Sequence, residues 1–166
     1  MHIEHLFGGS ALKAVDGHGR VQLPRFVRAT AERRSDDRTL VLGPHGADAC
    51  LTAYDRGYRK QLFAEAERLR LRDESAGTGE GPHHGRARRA FGLTEESRFD
   101  DDGRIVLPAM MRRLGRIEGL ALFVGTGGAV EIWNPHLAAE SDDEALRELA
   151  RYRLGQDDQE QEEEEE

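Results

Sequence analysis

The sequence predicts an α+β fold built from two similar units, each followed by a helix. A thirteen-residue string occurs twice, short apolar segments alternate with glycine-rich turns, and a longer helical stretch follows each set of segments. The length of 166 residues suits this arrangement, because a unit of about 80 residues buries only a marginal core by itself. We therefore expect the two units to pack on each other.

The repeated string keeps its chemistry as well as its spacing. Residues 16–28 are DGHGRVQLPRFVR and residues 100–112 are DDDGRIVLPAMMR. The aspartate, the Gly-Arg pair, an aliphatic residue, the Leu-Pro pair and the final arginine recur at an offset of 84 residues, from Arg20 to Arg104. A repeat of this kind determines the architecture before any single element is assigned.

Each part of the string predicts one piece of local structure. The aspartate can accept hydrogen bonds from the turn amides, and the glycine tolerates a positive φ. The alternating apolar residues that follow predict a strand, and the proline ends that strand and suits the first turn of a helix. The residues to which we assign these structural roles are Asp16, Gly19, Pro24, Asp100, Gly103 and Pro108.

The remaining elements follow the same order in both units. For the first unit we predict strands at 9–15, 20–23, 39–42 and 49–54 and helices at 25–34 and about 55–72. For the second unit we predict that residues 98–99 lead into the turn, and that strands follow at 104–107, 120–124 and 129–133. We also predict a helix at 109–114 and one long helix from 134 to about 153. The predicted boundaries are 8–72 and 91–154 for the two units, 73–90 for a polar linker and 155–166 for a tail.

The charge of the chain is concentrated at its C-terminus. The formal net charge is −8, but Gln156 to Glu166 contains eight acidic residues and no basic one, which leaves a neutral body. Repulsion between like charges predicts that this acidic tail is disordered. Within the body, arginine greatly outnumbers lysine, which occurs only at Lys13 and Lys60. Arginine suits phosphate and guanine contacts, although a GC-rich genome also favours its codons.

The sequence contains no pattern that predicts a metal, a cofactor or a catalytic centre. The single cysteine, Cys50, excludes intrachain disulfides and a cysteine-based metal framework, and we expect a small buried side chain. The pair His83-His84, with His45 elsewhere, lacks the spacing of a metal site. Gly125–Gly128 lacks the lysine of a phosphate loop and predicts a turn. We therefore expect neither an enzyme nor a small-molecule substrate.

No apolar segment is long enough to predict a membrane span, and the N-terminus does not resemble a signal peptide. We therefore expect a cytoplasmic protein without a membrane partner.

The repeated string resembles a known DNA-binding signature. GRIVLPAMMRRLG at 103–115 is similar to the AbrB/MazE signature, and two copies in one short chain, each followed by a helix, resemble the MraZ family of transcriptional regulators. The resemblance covers about residues 8–153. Tyr54 and Trp133, each before a helix, add to it, whereas Gln22 departs from the usual small or apolar residue.

The resemblance implies a fold and a function. It implies two SpoVT-AbrB-like swapped-hairpin β-barrel repeats that form an intrachain pseudo-dimer. It implies sequence-specific binding of double-stranded DNA at direct repeats upstream of the division and cell wall gene cluster, with repression of the chain's own operon. It also implies a ring-shaped homo-oligomer and a nucleoid-associated location. The alternative is an AbrB/MazE-like protein-interaction module of the antitoxin type.

Arginines beside the turns and at the helix ends are the candidate DNA contacts. Arg20 and Arg104 directly follow the turn glycines, and the AbrB-like pattern also has DNA-facing arginines at the ends of the short helices. The predicted set is Arg20, Arg25, Arg28, Arg104, Arg112 and Arg113. An equally good interpretation is that Asp16–Arg20 and Asp100–Arg104 pairs hold the turns, and both roles are compatible.

Overall fold

A computed structural model describes residues 5–165 of the chain, which form eight β-strands and six α-helices within that range. The strands are β1 (Ser10–Ala14), β2 (Arg20–Gln22), β3 (Thr39–Pro44), β4 (Leu51–Asp55), β5 (Glu95–Arg98), β6 (Arg104–Val106), β7 (Leu120–Gly125) and β8 (Val130–Trp133). The helices are α1 (Arg25–Arg34), α2 (Arg59–Ser75), α3 (Gly81–Ala87), α4 (Ala109–Leu114), α5 (Pro135–Ala138) and α6 (Glu144–Glu165). A 3₁₀ turn at Arg56–Tyr58 precedes α2, and a π-helical turn at Arg88–Gly92 follows α3.

The α+β class is confirmed, and the strands of the two repeats are mixed in one sheet. Six antiparallel strands lie in the order β1-β7-β8-β4-β3-β5, and β2 and β6 form a separate two-stranded ribbon. Each outer strand of the sheet pairs with a strand of the other repeat, since β1 lies beside β7 and β5 lies beside β3. The two repeats therefore share their hydrogen-bonded framework.

One apolar core joins the ribbon to the sheet. Val21 and Ile105 of the ribbon are each 2% exposed. They belong to the same buried cluster as Leu40, Leu51 and Phe123 of the sheet. The fully buried pattern of β3 explains why its sequence, Thr-Leu-Val-Leu, shows no polar alternation.

A second cluster lies under the C-terminal helices. Trp133 and Cys50 pack there with Leu122, Ala138 and Ala150, so the expected burial of the cysteine is confirmed. The single helix predicted from 134 to about 153 is wrong, because α5 ends at Ala138 and α6 begins at Glu144. The chain restarts the helix with a new cap, since Asp143 Oδ1 accepts a hydrogen bond from the Leu146 amide at 2.8 Å.

The acidic tail differs from its prediction. The composition predicts disorder for 155–166, but α6 continues through Glu165, and Glu166 lies outside the described residues. Glutamate and glutamine are strong helix formers, and an established helix gains one backbone hydrogen bond for each added residue. Side chains one turn apart also bond each other, as in the 3.0 Å contact from Gln156 Nε2 to the Tyr152 hydroxyl. Helix propensity and such contacts favour the helical form of this segment.

The segment predicted as a polar linker, 73–90, is largely helical. It contains the end of α2, all of α3 and part of the π-helical turn. An ion pair of 2.6 Å between Arg86 Nη2 and Asp73 Oδ2 links α3 to α2. Within residues 5–165, no helix combines the length and the apolar character that crossing a membrane requires.

A buried arginine joins the two repeats. Arg34, at the end of α1, forms a 2.9 Å ion pair with Asp55 of β4, and both side chains are 8% exposed. Its guanidinium also donates to the carbonyl oxygens of Gly128 at 2.8 Å and Gly127 at 3.2 Å. It lies 4.5 Å from the centre of the Phe7 ring. One side chain thus fixes the turn between β7 and β8 to α1.

Removing the carboxylate charge from this pair should destabilise the whole chain. We expect Asp55→Asn to lower the free energy of unfolding by about 3–5 kcal/mol, because it leaves the Arg34 charge buried without its counter-ion. Urea unfolding of the full chain measures this change. The matched control is Glu65→Gln, whose pair with Arg68 is more than half exposed and should contribute at most about 1 kcal/mol. Equal effects of the two substitutions would contradict the assigned role of Arg34.

Candidate nucleic-acid interface

The two-stranded ribbon presents one arginine from each repeat on a single exposed face. The antiparallel register places Arg20 opposite Val106, Val21 opposite Ile105 and Gln22 opposite Arg104. Because side chains alternate along a strand, the central pair faces the core and the outer four residues face solvent. Arg20 and Arg104 are therefore diagonal neighbours on the outer face, at a separation of about 7–8 Å between backbone positions.

The turn before β2 is held by the carboxylate of Asp16. Its Oδ1 accepts hydrogen bonds from the amides of His18 and Arg20, both at 2.9 Å. Its Oδ2 accepts from Arg20 Nε at 2.7 Å. The Arg20 amide, the Arg20 guanidinium and the His18 amide lower the pKa of Asp16 to about 2. The predicted Asp16–Arg20 pair is confirmed, so Arg20 contributes to the turn as well as to the exposed face.

The turn before β6 uses the same backbone bonds but a different arginine arrangement. Asp100 Oδ1 accepts from the amides of Asp102 and Arg104, both at 2.9 Å, and these bonds lower the pKa of Asp100. The suggested side-chain pair between Asp100 and Arg104 is not formed in the structure. The charge of the Asp100 carboxylate acts on Arg28 as well as on Arg104. Within residues 5–165 the Arg104 guanidinium makes no hydrogen bond or ion pair, so its charge is available to a ligand.

Reciprocal backbone bonds lock each turn to the other repeat. The Leu23 amide donates to the Gly103 carbonyl at 2.9 Å, and the Leu107 amide donates to the Gly19 carbonyl at 2.8 Å. Both glycines have a positive φ, +83° at Gly19 and +81° at Gly103. The predicted roles of the two aspartates and the two glycines as turn residues agree with these contacts, and Pro24 and Pro108 directly precede α1 and α4.

The helix arginines divide into two groups. Arg28 donates from Nη2 to the Asp101 carbonyl at 2.7 Å and from Nε to Glu32 at 2.8 Å. Arg112 donates from Nε to the Leu107 carbonyl at 3.0 Å. Both side chains therefore support the loops around the ribbon. Arg25 and Arg113 are exposed, at the start of α1 and near the end of α4.

Two contacts of the second turn were not predicted from the sequence. Gln22 Nε2 donates to the Asp102 carbonyl at 2.6 Å, which gives a role to the residue that departs from the repeat pattern. Arg38 forms an ion pair with the carboxylate of Asp101. The departure at Gln22 was the only signal in the sequence for either contact. Both contacts hold the 100–103 turn against the first repeat.

The ribbon is suited to contact duplex DNA. The major groove of B-DNA is about 12 Å wide and admits a two-stranded β-ribbon. An arginine in such a ribbon can bind a guanine edge through two parallel hydrogen bonds, and nearby exposed arginines can bind phosphates.

A separate group of side chains has the chemistry of a metal site. The donor atoms of His45, Cys50 and Glu131 all lie within 4.8 Å of one another. The fold brings them together although Glu131 belongs to the other repeat, and no spacing in the sequence indicates it. His83 and His84, the histidine pair considered in the sequence, contact each other only through their rings, with centroids 5.6 Å apart.

Comparison with known proteins identifies the family, although no family model matches the sequence. The chain is 33% identical over 129 residues to the transcriptional regulator MraZ of Rhodospirillum rubrum. This aligned region covers 78% of the present chain and 79% of the relative. The chain is 31% identical over 136 residues to the transcriptional regulator MraZ of Desulfitobacterium hafniense strain Y51, covering 81% and 85%. The chain belongs to the MraZ family. The resemblance to the MraZ family that the repeated string indicates is thus confirmed, and the similarity extends over most of the chain. A third MraZ relative, from Thermomicrobium roseum, is 31% identical over 132 residues, and none of these names denotes an enzyme.

Substitution of the first turn glycine should disturb the ribbon. A Cβ atom on Gly19 would lie 2.4 Å from the Leu107 carbonyl oxygen, and the positive φ already disfavours a side chain. We expect Gly19→Ala to lower the free energy of unfolding by about 1–3 kcal/mol, measured by urea unfolding. Gly17→Ala is the control in the same turn, because a Cβ there meets nothing within 4 Å, and it should change stability by at most about 0.5 kcal/mol. Similar losses in both variants would contradict this account of the turn.

The turn carboxylate should make stability depend on acid pH. The pKa of Asp16 is about 2 in the folded chain and about 3.9 in an unfolded one. Since the unfolded chain takes up its proton first, the contribution of Asp16 is complete above about pH 5 and is lost as the pH falls towards 2. We expect Asp16→Asn to flatten the decline of unfolding free energy between pH 5 and 2. Asp36→Asn, which removes an exposed carboxylate after α1, is the control. An unchanged pH profile in Asp16→Asn would contradict the prediction.

Proposed function

We propose that the chain is a sequence-specific DNA-binding transcriptional regulator that reads the major groove with its β2–β6 ribbon. The observation that carries this proposal is the exposed face with Arg20 and Arg104, whose opposite face is anchored in the core by Val21 and Ile105. The anchored ribbon holds the backbone of the two arginines in a fixed register, and Asp16 also orients the Arg20 side chain, which lowers the entropy cost of binding. The MraZ relatives, which are named transcriptional regulators, support the same function.

The arginines have different roles in this proposal. Arg20 and Arg104 contact base edges, and the exposed Arg25 and Arg113 bind phosphates on either side. Arg28 and Arg112 hold the loops and set the position of the ribbon, while retaining charge near the DNA. Arg104 is the stronger base-reading candidate, because Asp16 already neutralises part of the charge of Arg20.

We also propose the finer fold that the family resemblance implies. The two repeats form SpoVT-AbrB-like swapped-hairpin units in an intrachain pseudo-dimer. The pairing of β1 with β7, of β5 with β3 and of β2 with β6 supports this interpretation, because each pair takes one strand from each repeat.

The proposed target is a set of direct repeats upstream of the division and cell wall gene cluster, with repression of the chain's own operon. One ribbon offers few base contacts, so we propose that ring-shaped homo-oligomers in the nucleoid place several ribbons on adjacent repeats. Linked sites of this kind gain about 10²–10⁴ in avidity without any new contact.

Removal of both ribbon arginines tests the assigned surface. We expect the double variant Arg20→Ala with Arg104→Ala to weaken binding to the chain's own upstream DNA by about 1–3 kcal/mol for each lost base contact. Fluorescence anisotropy across a salt series measures the affinity, whose logarithm should fall by about 0.9 per neutralised phosphate against the logarithm of salt concentration.

The control for the loss of positive charge is the double variant Arg88→Ala with Arg89→Ala, whose arginines lie outside the ribbon. This variant should bind the specific DNA nearly as well as the unaltered chain. If the ribbon variant retains full affinity and specificity, the ribbon is not the reading surface. A failure of the unaltered chain to bind any upstream DNA, together with capture of a protein toxin, would favour the antitoxin-type module.

A further inference from the structure

We propose that His45, Cys50 and Glu131 form a binding site for a single transition-metal ion, for which Zn²⁺ is the best fit. His45 and Cys50 lie at the two ends of the loop between β3 and β4, and Glu131 lies on β8. The three donor atoms, an imidazole nitrogen, a thiol sulfur and a carboxylate oxygen, lie within 4.8 Å of one another. The proposal is independent of the DNA-binding surface.

The distances require only a small contraction around an ion. His45 Nε2 lies 3.2 Å from Glu131 Oε2. With zinc bonds of about 2.0–2.3 Å, ligand atoms in a tetrahedral site lie about 3–4 Å apart. Residues 46–49 of the loop are exposed, while its two ends are joined by a 2.9 Å hydrogen bond from the His45 amide to the Cys50 carbonyl.

Trp133 orients one ligand, and Asp48 is placed to accept from His45 once the imidazole changes its tautomer. Trp133 Nε1 donates to Glu131 Oε1 at 2.9 Å, which leaves Oε2 directed towards the cluster. Asp48 Oδ2 lies 3.6 Å from His45 Nδ1. Metal-binding histidines usually donate their second N–H to such a carboxylate, which fixes the ring and strengthens the ligand.

Metal binding would change the protonation of two ligands. His45 Nδ1 now accepts from the amides of Ala47 and Asp48, at 3.1 and 3.0 Å, so Nε2 carries the proton. When the ion takes the Nε2 lone pair, that proton resides on Nδ1 and is donated to the Asp48 carboxylate, and the two exposed amides bind water instead. The Cys50 thiol releases its proton to solvent and binds as the thiolate.

The local electrostatics favour a cation. The carboxylates of Glu131 and Asp48 lie 3.2 and 3.6 Å from the His45 nitrogens, whereas the Arg89 guanidinium, which donates to the His45 carbonyl at 3.2 Å, partly opposes a cation. A divalent ion in this position compensates the negative groups and deprotonates the thiol. The mixed nitrogen, sulfur and oxygen donors suit zinc, whereas Mg²⁺ and Ca²⁺ prefer sites made entirely of oxygen. Three protein ligands leave a fourth position for water.

Metal titration of the full, reduced chain tests the site. We expect one equivalent of Zn²⁺ to bind in competition with a chromophoric chelator, to release protons and to raise the melting temperature. Co²⁺ should give a thiolate-to-metal absorption band that Cys50→Ser abolishes. His45→Gln and Glu131→Gln should each weaken Zn²⁺ binding at least tenfold, and Asp48→Asn should weaken it about 10–100-fold.

The control is the double variant His83→Ala with His84→Ala, which should leave Zn²⁺ affinity unchanged. Circular dichroism establishes that each variant is folded. If Cys50→Ser does not fold, the cobalt band of the unaltered chain and the affinities of His45→Gln and Glu131→Gln decide the question. A cobalt complex without a thiolate band, or full zinc affinity in either of those variants, would overturn the proposal.

Discussion

The structure depends on two reciprocal backbone hydrogen bonds, from Leu23 to Gly103 and from Leu107 to Gly19. Each bond requires a turn whose glycine has a positive φ, and each turn is held by an aspartate that accepts two backbone amides. Neither repeat can form this ribbon alone, because each strand finds its partner only in the other repeat. The arginine face, the burial of Val21 and Ile105 and the starts of α1 and α4 all follow from this exchange.

Local sequence rules predicted the elements well where the chemistry is local. Helices at 25–34 and 109–114 agree with the structure at both ends; a proline directly precedes each helix, and Gly115 follows the second. The pairing of β1 with β7 and of β5 with β3 could not be derived from periodicity, which identifies the buried face of a strand but not its neighbour. The break before α6 was missed although Ser141 and Asp143 carry the capping chemistry. The helical tail differs from the composition-based prediction because glutamate combines like-charge repulsion with a high helix propensity.

The candidate interface could be predicted only in part. The spacing of the repeat identified Arg20 and Arg104, and the structure places them on one face of the ribbon. The loop-holding contacts of Arg28 and Arg112 depend on carbonyl groups whose positions only the folded chain defines. The same limit applies to the His45, Cys50 and Glu131 cluster, since its members come from a loop of one repeat and a strand of the other.

The two halves of the ribbon are similar in backbone but unequal in charge. Arg20 is paired with Asp16, while the corresponding Arg104 leaves Asp100 to backbone amides. The second turn receives additional contacts from Gln22, Arg28 and Arg38, so Arg104, which has no side-chain partner within residues 5–165, stands on the more firmly held loop. An exposed ion pair is weak and is easily exchanged for a contact with DNA, whereas an unpaired arginine gives up no such partner on binding. A DNA site with two identical half-sites would therefore contact two arginines, Arg20 and Arg104, whose chemical environments differ.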